Sequence, residues 1–316
     1  MFPDQIVLAQ PRGFCAGVTR AIEIVERALA LHGAPVHVFH EIVHNQWVVS
    51  DLRARGAVFV DSIEHVPVGG TVVFSAHGVS IQVVAQARRL GLNIIDATCP
   101  LVSKVHQQAQ RFVRMGHVLV MIGHAGHEEV QGTIGRVNTP VHLISSVADA
   151  RALRLPADAP VAYVTQTTLS IDDTRDIIDA LAQRFVNLVG PDVDDICYAT
   201  QNRQIAVRAL AAQVDLVLVV GARNSSNSNR LREVAERAGV PAHLVQDATE
   251  IRSEWLSDAA RIGVTSGAST PDLLVQQVVH SLQSRHNGPV TPVLQLPGVQ
   301  EDVRFRLPGE ISEPVN

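Results

Sequence analysis

Residues 12–29, RGFCAGVTRAIEIVERAL, return twice in altered form, as DATCPLVSKVHQQAQRFV at 96–113 and DICYATQNRQIAVRALA at 195–211. Each copy places one of the chain's three cysteines, Cys15, Cys99 and Cys197, just ahead of a segment whose apolar residues recur at helical spacing. A second landmark keeps the interval: 29 positions separate Cys15 from His44, 28 separate Cys99 from His127, and 28 separate Cys197 from Ser225. Farther on, strand-like runs end at Ser75, Thr165 and Thr265, which lie 60, 66 and 68 positions after the preceding cysteine. Agreement of these landmarks in three copies identifies an internal triplication.

Around these copies, short β-branched runs at 72–76, 117–123, 161–165, 216–221 and 261–267 alternate with amphipathic segments. That alternation predicts parallel α/β units whose sheets are covered on both faces. Ligands of such sheets collect at the carboxyl ends of strands, where EIVHN, SAHGVS, GHAGHEEVQGT, TQTTLS, GARNSSNSN and TSGAST fall. The expected domains are residues 1–97, 98–195 and 196–283, with a tail at 284–316 packing back on the first. Three similar α/β units form a pseudo-threefold trefoil in this reading.

Composition narrows the class of protein. With 46% hydrophobic and 18% charged residues in 316, the chain can build real cores. A net charge of −5 without Lys/Arg blocks argues against a nucleic-acid surface. No apolar run spans a bilayer and no leader pattern opens the sequence, so a cytoplasmic protein is expected, with no membrane partner. Three widely separated cysteines do not make a disulfide framework.

A lone cysteine is most often a small buried hydrophobe. These three stand at the starts of helices, where unpaired N–H groups and the positive dipole end favour the metal-binding thiolate. Three thiolates at a pseudo-threefold centre suit a cubane iron-sulfur cluster with one iron lacking a cysteine; zinc on three cysteines plus histidine or water is the alternative. Spacing alone does not separate the two.

The strand-end loops supply anion donors. His44, His77 and His127 recur in the first two copies, and Ser225, Ser226, Asn227 and Ser269 stand in the third, which together read as a phosphate or diphosphate cage. Each is ordinary as an isolated loop residue or helix cap. Glu128 and Glu129 follow His127 and offer a proton donor, with the hydroxyls of TQTTLS as a relay. Acids in a first helical turn are also common for dipole reasons alone. The acids of IDDTRD at 171–176 and DVDDIC at 192–197 read as capping and solvated faces.

PRGFCAGV, EIVHN, FSAHGVS, DATCPLV, KVH, GHAGHEEVQGT, TQTTLS, DDICYAT, NRQ, VVGARNSSNSNRL and GVTSGAST occur in one order across essentially the whole chain. In that order they resemble the LytB (IspH) family of 4-hydroxy-3-methylbut-2-enyl diphosphate reductases, of the methylerythritol phosphate route to isoprenoids. The resemblance implies a 4Fe-4S cluster on Cys15, Cys99 and Cys197, with the substrate hydroxyl at an open iron. It implies diphosphate recognition by His44, His77, His127, Thr167, Ser225, Ser226, Asn227 and Ser269, and proton delivery by Glu129 with Thr167. Electrons would come singly from ferredoxin or flavodoxin, the hydroxyl would leave as water, and isopentenyl and dimethylallyl diphosphate would form. One position departs from the family: many members have Pro where this chain has Glu128. The register His127-x-Glu129 favours Glu129, with Glu128 as a partial substitute. A cluster-bearing sensor would need an output surface, such as a basic helix, and the sequence has none.

Overall fold

The computed structural model describes residues 3–191, 195–285 and 290–311. The first third runs β1 (Gln5–Leu8), α1 (Ala16–His32), β2 (Val36–Phe39), α2 (Gln46–Ala54), β3 (Ala57–Val60), β4 (Thr71–Phe74), α3 (Ile81–Arg89) and β5 (Asn93–Asp96). The second runs α4 (Pro100–Arg114), β6 (Val118–Ile122), α5 (Glu128–Ile134), β7 (Val141–Ile144), α6 (Val147–Ala152), β8 (Val161–Thr165), α7 (Ile171–Arg184) and β9 (Leu188–Val189). The third runs α8 (Tyr198–Ala211), β10 (Leu216–Val220), α9 (Ser226–Arg237), β11 (Ala242–Val245), β12 (Arg261–Ser266), α10 (Asp272–Ser284) and β13 (Val293–Gln295). Among the described residues no helix is long and apolar enough to cross a membrane.

The strands form three parallel sheets, in the orders β3-β2-β4-β5, β7-β6-β8-β9 and β11-β10-β12-β1-β13. One rule generates all three, with β5, β9 and β1 filling the same fourth position. Each fourth strand is the last before a cysteine and its helix: Cys99 and α4, Cys197 and α8, Cys15 and α1. Three similar α/β units are therefore present, and the first strand of the chain completes the last sheet. Strand order reverses between β2 and β4, between β6 and β8, and at the equivalent pair β10 and β12, which opens the crevices where ligands of such folds sit.

By compactness the chain divides into two bodies. One comprises the residues up to Ala16, His44–Val48 and Tyr198–Arg304; the other comprises Gly17–Val43, Val49–Cys197 and the chain from Phe305 onward. In the first body, successive residues of β10 point to opposite faces of the sheet. Leu216, Leu218 and Val220 join Ile6, Leu8, Ile262 and Val264 under Leu274, Val275 and Val278 of α10. Val217 and Val219 join Val7 under Val207 and Leu210 of α8 and Leu231 and Val234 of α9. Covering both faces is what a run of five apolar residues dictates. The second body repeats the device: Val120 and Ile122 meet Ile177 and Leu181 of α7, while Leu119 and Met121 meet Val105 and Phe112 of α4. Its other sheet packs Val72 and Phe74 against Phe39, Val79 and Ala87.

Candidate active site

The three cysteines share a backbone setting. Cys15, Cys99 and Cys197 are half-buried thiols outside any disulfide. The Cys99 N–H donates to the Ala76 carbonyl at 3.0 Å, the Cys197 N–H to the Thr167 carbonyl at 3.1 Å and the Cys15 N–H to the Ala268 carbonyl at 3.2 Å. In every case the acceptor lies in the loop following the third-position strand of its sheet, β4, β8 or β12. Cys99 is the N-cap of α4 with Pro100 at its first position, so the thiol sits at the positive end of a 15-residue helix. Arg20 donates to the carbonyls of Ala97 at 3.3 Å and Thr98 at 3.1 Å, which brings its cation close to Cys99. Burial lowers the Arg20 pKa from its ordinary value, while Cys99 and Asp96 pull it up. Three half-buried soft donors at helix starts, one beside a guanidinium, are a donor set that fits an iron-sulfur centre.

In the second body, the loops after β4, β6 and β8 bring the predicted histidines and acids together. His77 Nδ1 lies 2.8 Å from Glu128 Oε2, and the His77 and His127 rings meet edge to face at 5.9 Å. His127 caps α5, its Nδ1 accepting the Glu129 N–H at 3.2 Å. The two adjacent acids part company here. Glu129 is only 2% exposed and its carboxylate accepts the Thr167 N–H at 2.7 Å and the Thr167 hydroxyl at 2.8 Å. A carboxyl and a hydroxyl so joined can pass a proton by exchanging donor and acceptor roles.

In the first body, Ser225 caps α9, accepting the N–H of Ser228 at 3.3 Å and its hydroxyl at 3.1 Å. Ser226 is the first residue of that helix. Asn227 is buried; its Oδ1 accepts the Ala268 N–H at 2.9 Å, leaving Nδ2 as a buried donor with no partner. The Ser269 hydroxyl donates to the His44 carbonyl at 3.0 Å, and His44 Nδ1 lies 3.5 Å from Asn224 Nδ2. Ser228 is sealed between Gly221 and Gly267 at the ends of β10 and β12, where a Cβ on either glycine would collide with its hydroxyl. An orphaned amide donor at the start of a 12-residue helix is chemistry suited to an anion.

Two residues escaped the sequence reading. Asp195, expected to be a solvated acid, has a fully buried side chain 3.7 Å from Lys104 Nζ; Asp194 lies outside the described residues. The sequence offers no partner near it because Lys104 comes from the preceding repeat. The other is His106 of α4, buried, with no partner at Nε2. It packs where a side chain on Gly78 would be, a Cβ there lying 2.5 Å from its Cε1, and Gly78 holds φ +77° directly after His77. Gly132 of α5 lies against the Gly78 carbonyl from the other side. The turn carrying His77 is thus clamped between α4 and the helix of Glu128 and Glu129.

Burial, then Arg136, push the His106 pKa down to about 4. The folded protein therefore binds this proton less readily than the unfolded chain, whose histidine titrates near 6.5. Stability from the neutral imidazole is whole above pH 6.5 and is lost as pH falls toward 4. Denaturant titrations at pH 7 and pH 4 should differ by a component on the order of 3 kcal/mol that His106→Asn abolishes. The same pH dependence in both proteins would contradict a neutral buried imidazole.

A family profile described as LytB protein matches residues 6–283. The chain is 57% identical over 308 residues to 4-hydroxy-3-methylbut-2-enyl diphosphate reductase 2 of Bradyrhizobium diazoefficiens, covering 98% of this chain and 99% of that one. It is 56% identical to the 4-hydroxy-3-methylbut-2-enyl diphosphate reductase of Burkholderia pseudomallei, covering 98% of each. Among solved structures, the E-1-hydroxy-2-methyl-but-2-enyl-4-diphosphate reductase of Plasmodium falciparum superposes with a TM-score of 0.93 at 37% identity, covering 98% of this chain and 97% of that one.

Proposed function

The chain belongs to the LytB protein family, and from that premise we propose that it reduces 4-hydroxy-3-methylbut-2-enyl diphosphate to isopentenyl and dimethylallyl diphosphate. It is an oxidoreductase of isoprenoid biosynthesis, and its family is an iron-sulfur one. The observation that carries the reading is the equivalence of the three cysteine turns, each at a helix start with its N–H on a strand-end carbonyl. Cys15, Cys99 and Cys197 would hold one 4Fe-4S cluster through three ligands with one iron open. Such a cluster supplies single electrons and a Lewis-acid position for the substrate hydroxyl.

The remaining work falls to side chains. Removing the C4 hydroxyl as water and protonating the remaining carbon skeleton consumes two electrons and two protons. Glu129 holds the proton for the departing hydroxyl, and Thr167 carries it the last step through the hydrogen bond the two share. His44, His77, His127, Thr167, Ser225, Ser226, Asn227 and Ser269 would bind and orient the substrate, with the orphaned Asn227 Nδ2 donating to the diphosphate. Glu128 keeps His77 oriented from 2.8 Å. An external ferredoxin or flavodoxin would supply the electrons in the cytoplasm. The domains in this reading are residues 1–97, 98–195 and 196–283, with 284–316 returning to the first; β13 pairs with β1, the chain's first strand, within the sheet of the third unit.

Anaerobic incubation of the iron-loaded protein with substrate and a chemical reductant should yield both five-carbon diphosphates. Asn227→Ala should weaken substrate binding roughly 10- to 150-fold, as loss of a hydrogen bond to a charged oxygen does, with iron content unchanged. An iron-loaded protein that forms neither product would overturn the assignment.

A further inference from the structure

The turn carrying Cys15 is held from behind by groups the reaction does not use. Arg203 of α8 has no side-chain exposure. Its guanidinium donates to the Gly13 carbonyl at 2.7 and 3.2 Å, to Phe14 at 3.4 Å and to Ala199 of its own helix at 2.9 Å. It also grips both carboxylate oxygens of Glu301 at 3.0 to 3.1 Å, and Glu301 takes a further hydrogen bond from Asn202 at 3.0 Å. A buried guanidinium needs such a counter-charge, since removing one member of a buried pair strands the other.

Glu301 belongs to the segment after β13, and that segment follows the Cys15 turn in step. Gln295 pairs with Leu8, and the Leu296 N–H donates to the Leu8 carbonyl at 2.9 Å. Gly298 lies so close to the Gln10 carbonyl that a Cβ would collide with it. Glu301 then reaches Gly13 and Phe14 through Arg203. Beyond the turn, the Cys15 N–H is tied to Ala268 and the Ala16 N–H donates to the Tyr198 hydroxyl at 3.3 Å. With the carbonyls before Cys15 drawn toward Arg203 and its N–H drawn toward Ala268, the backbone at the thiol is fixed from both sides.

We propose that Arg203 and Glu301 are positioning residues for Cys15, and that residues 295–301 form a strap that holds this one thiol in place for metal binding. The proposal rests on Cys15 being a ligand of the iron-sulfur centre. It makes the three cysteines unequal: the strap contacts the Cys15 turn itself, while it meets α8, the helix after Cys197, at Asn202 and Arg203.

Gly298→Ala is the deciding probe, because Gly298 meets the Gln10 carbonyl, whereas a change at Arg203 or at its counter-ion Glu301 reaches α8, the helix that follows Cys197 directly. Glu301→Gln keeps size but removes the counter-charge; Gly298→Ala removes no hydrogen bond and displaces the strap sterically. Two rates are measured on the full chain under anaerobic conditions. One is iron loss from loaded protein to a chelator; the other is alkylation of each cysteine by iodoacetamide in chelator-treated protein, resolved by peptide mass spectrometry. In both variants iron loss should accelerate roughly 10-fold or more, and Cys15 alkylation by a similar factor; in Gly298→Ala the alkylation of Cys99 and Cys197 should stay within about twofold of wild type. Equal acceleration at all three cysteines would reduce the strap to general stability and overturn the proposal, as would wild-type protection of Cys15 in both variants. Should Glu301→Gln not fold, Gly298→Ala alone gives the same comparison. A wild-type protein that takes up no iron would instead defeat the cofactor reading, while the alkylation pattern would still decide the strap.

Discussion

Glu129→Gln lowers turnover roughly 100-fold or more while leaving substrate affinity nearly unchanged. The amide retains an oxygen for the Thr167 N–H, and its nitrogen can donate to the Thr167 hydroxyl, so the 2.7 and 2.8 Å contacts survive in altered polarity. What is lost is a releasable proton. Glu128→Gln should change turnover only a few-fold, because Glu128 faces His77 from 2.8 Å and the proton is assigned to Glu129. Single-turnover kinetics with a chemical reductant separates this step from docking of an electron donor. Near wild-type turnover in the Glu129 variant, with a large loss in the Glu128 variant, would assign the proton to the wrong neighbour.

The choice of Glu129 over Glu128 rests on the register His127-x-Glu129 that the family resemblance supplies, and in the structure Glu129 is the more buried of the two. The placement of the predicted residues at strand ends and helix starts was legible because it depends on local geometry. Strand ends, helix starts and the cysteine spacing are set by alternation and capping within about 20 residues. The features that were not legible depend on distant partners. The membership of β1 in the last sheet pairs Gln5–Leu8 with Arg261–Val264, and nothing in MFPDQIVL marks that destination. Asp195 reads as an ordinary surface acid because Lys104, the cation beside it, lies about 90 positions away in sequence, and Glu301 carries no local sign of Arg203, which is as distant. His106 sits in KVH with no local sign that its ring would replace a side chain on Gly78. In each case a charge or ring is placed by tertiary packing, which single-sequence patterns do not encode.

The same distinction bears on the metal. Spacing and predicted helix starts brought out three equivalent cysteines but left zinc and iron-sulfur open; the geometry adds the cation of Arg20 near Cys99, which favours thiolate. Each ligand should then be indispensable. Replacing Cys15, Cys99 or Cys197 by Ser is expected to abolish stable cluster binding and turnover in all three variants, since a hydroxyl neither ionises at working pH nor matches iron as a soft donor. Full activity in any one of them would remove that residue from the ligand set.

Iron and acid-labile sulfide analysis of the wild-type chain, purified without oxygen and examined by electron paramagnetic resonance after reduction, is the most direct measurement. The expected result is about four irons and four sulfides per chain, with a cluster signal that disappears in each serine variant. One zinc per chain with no sulfide would contradict it.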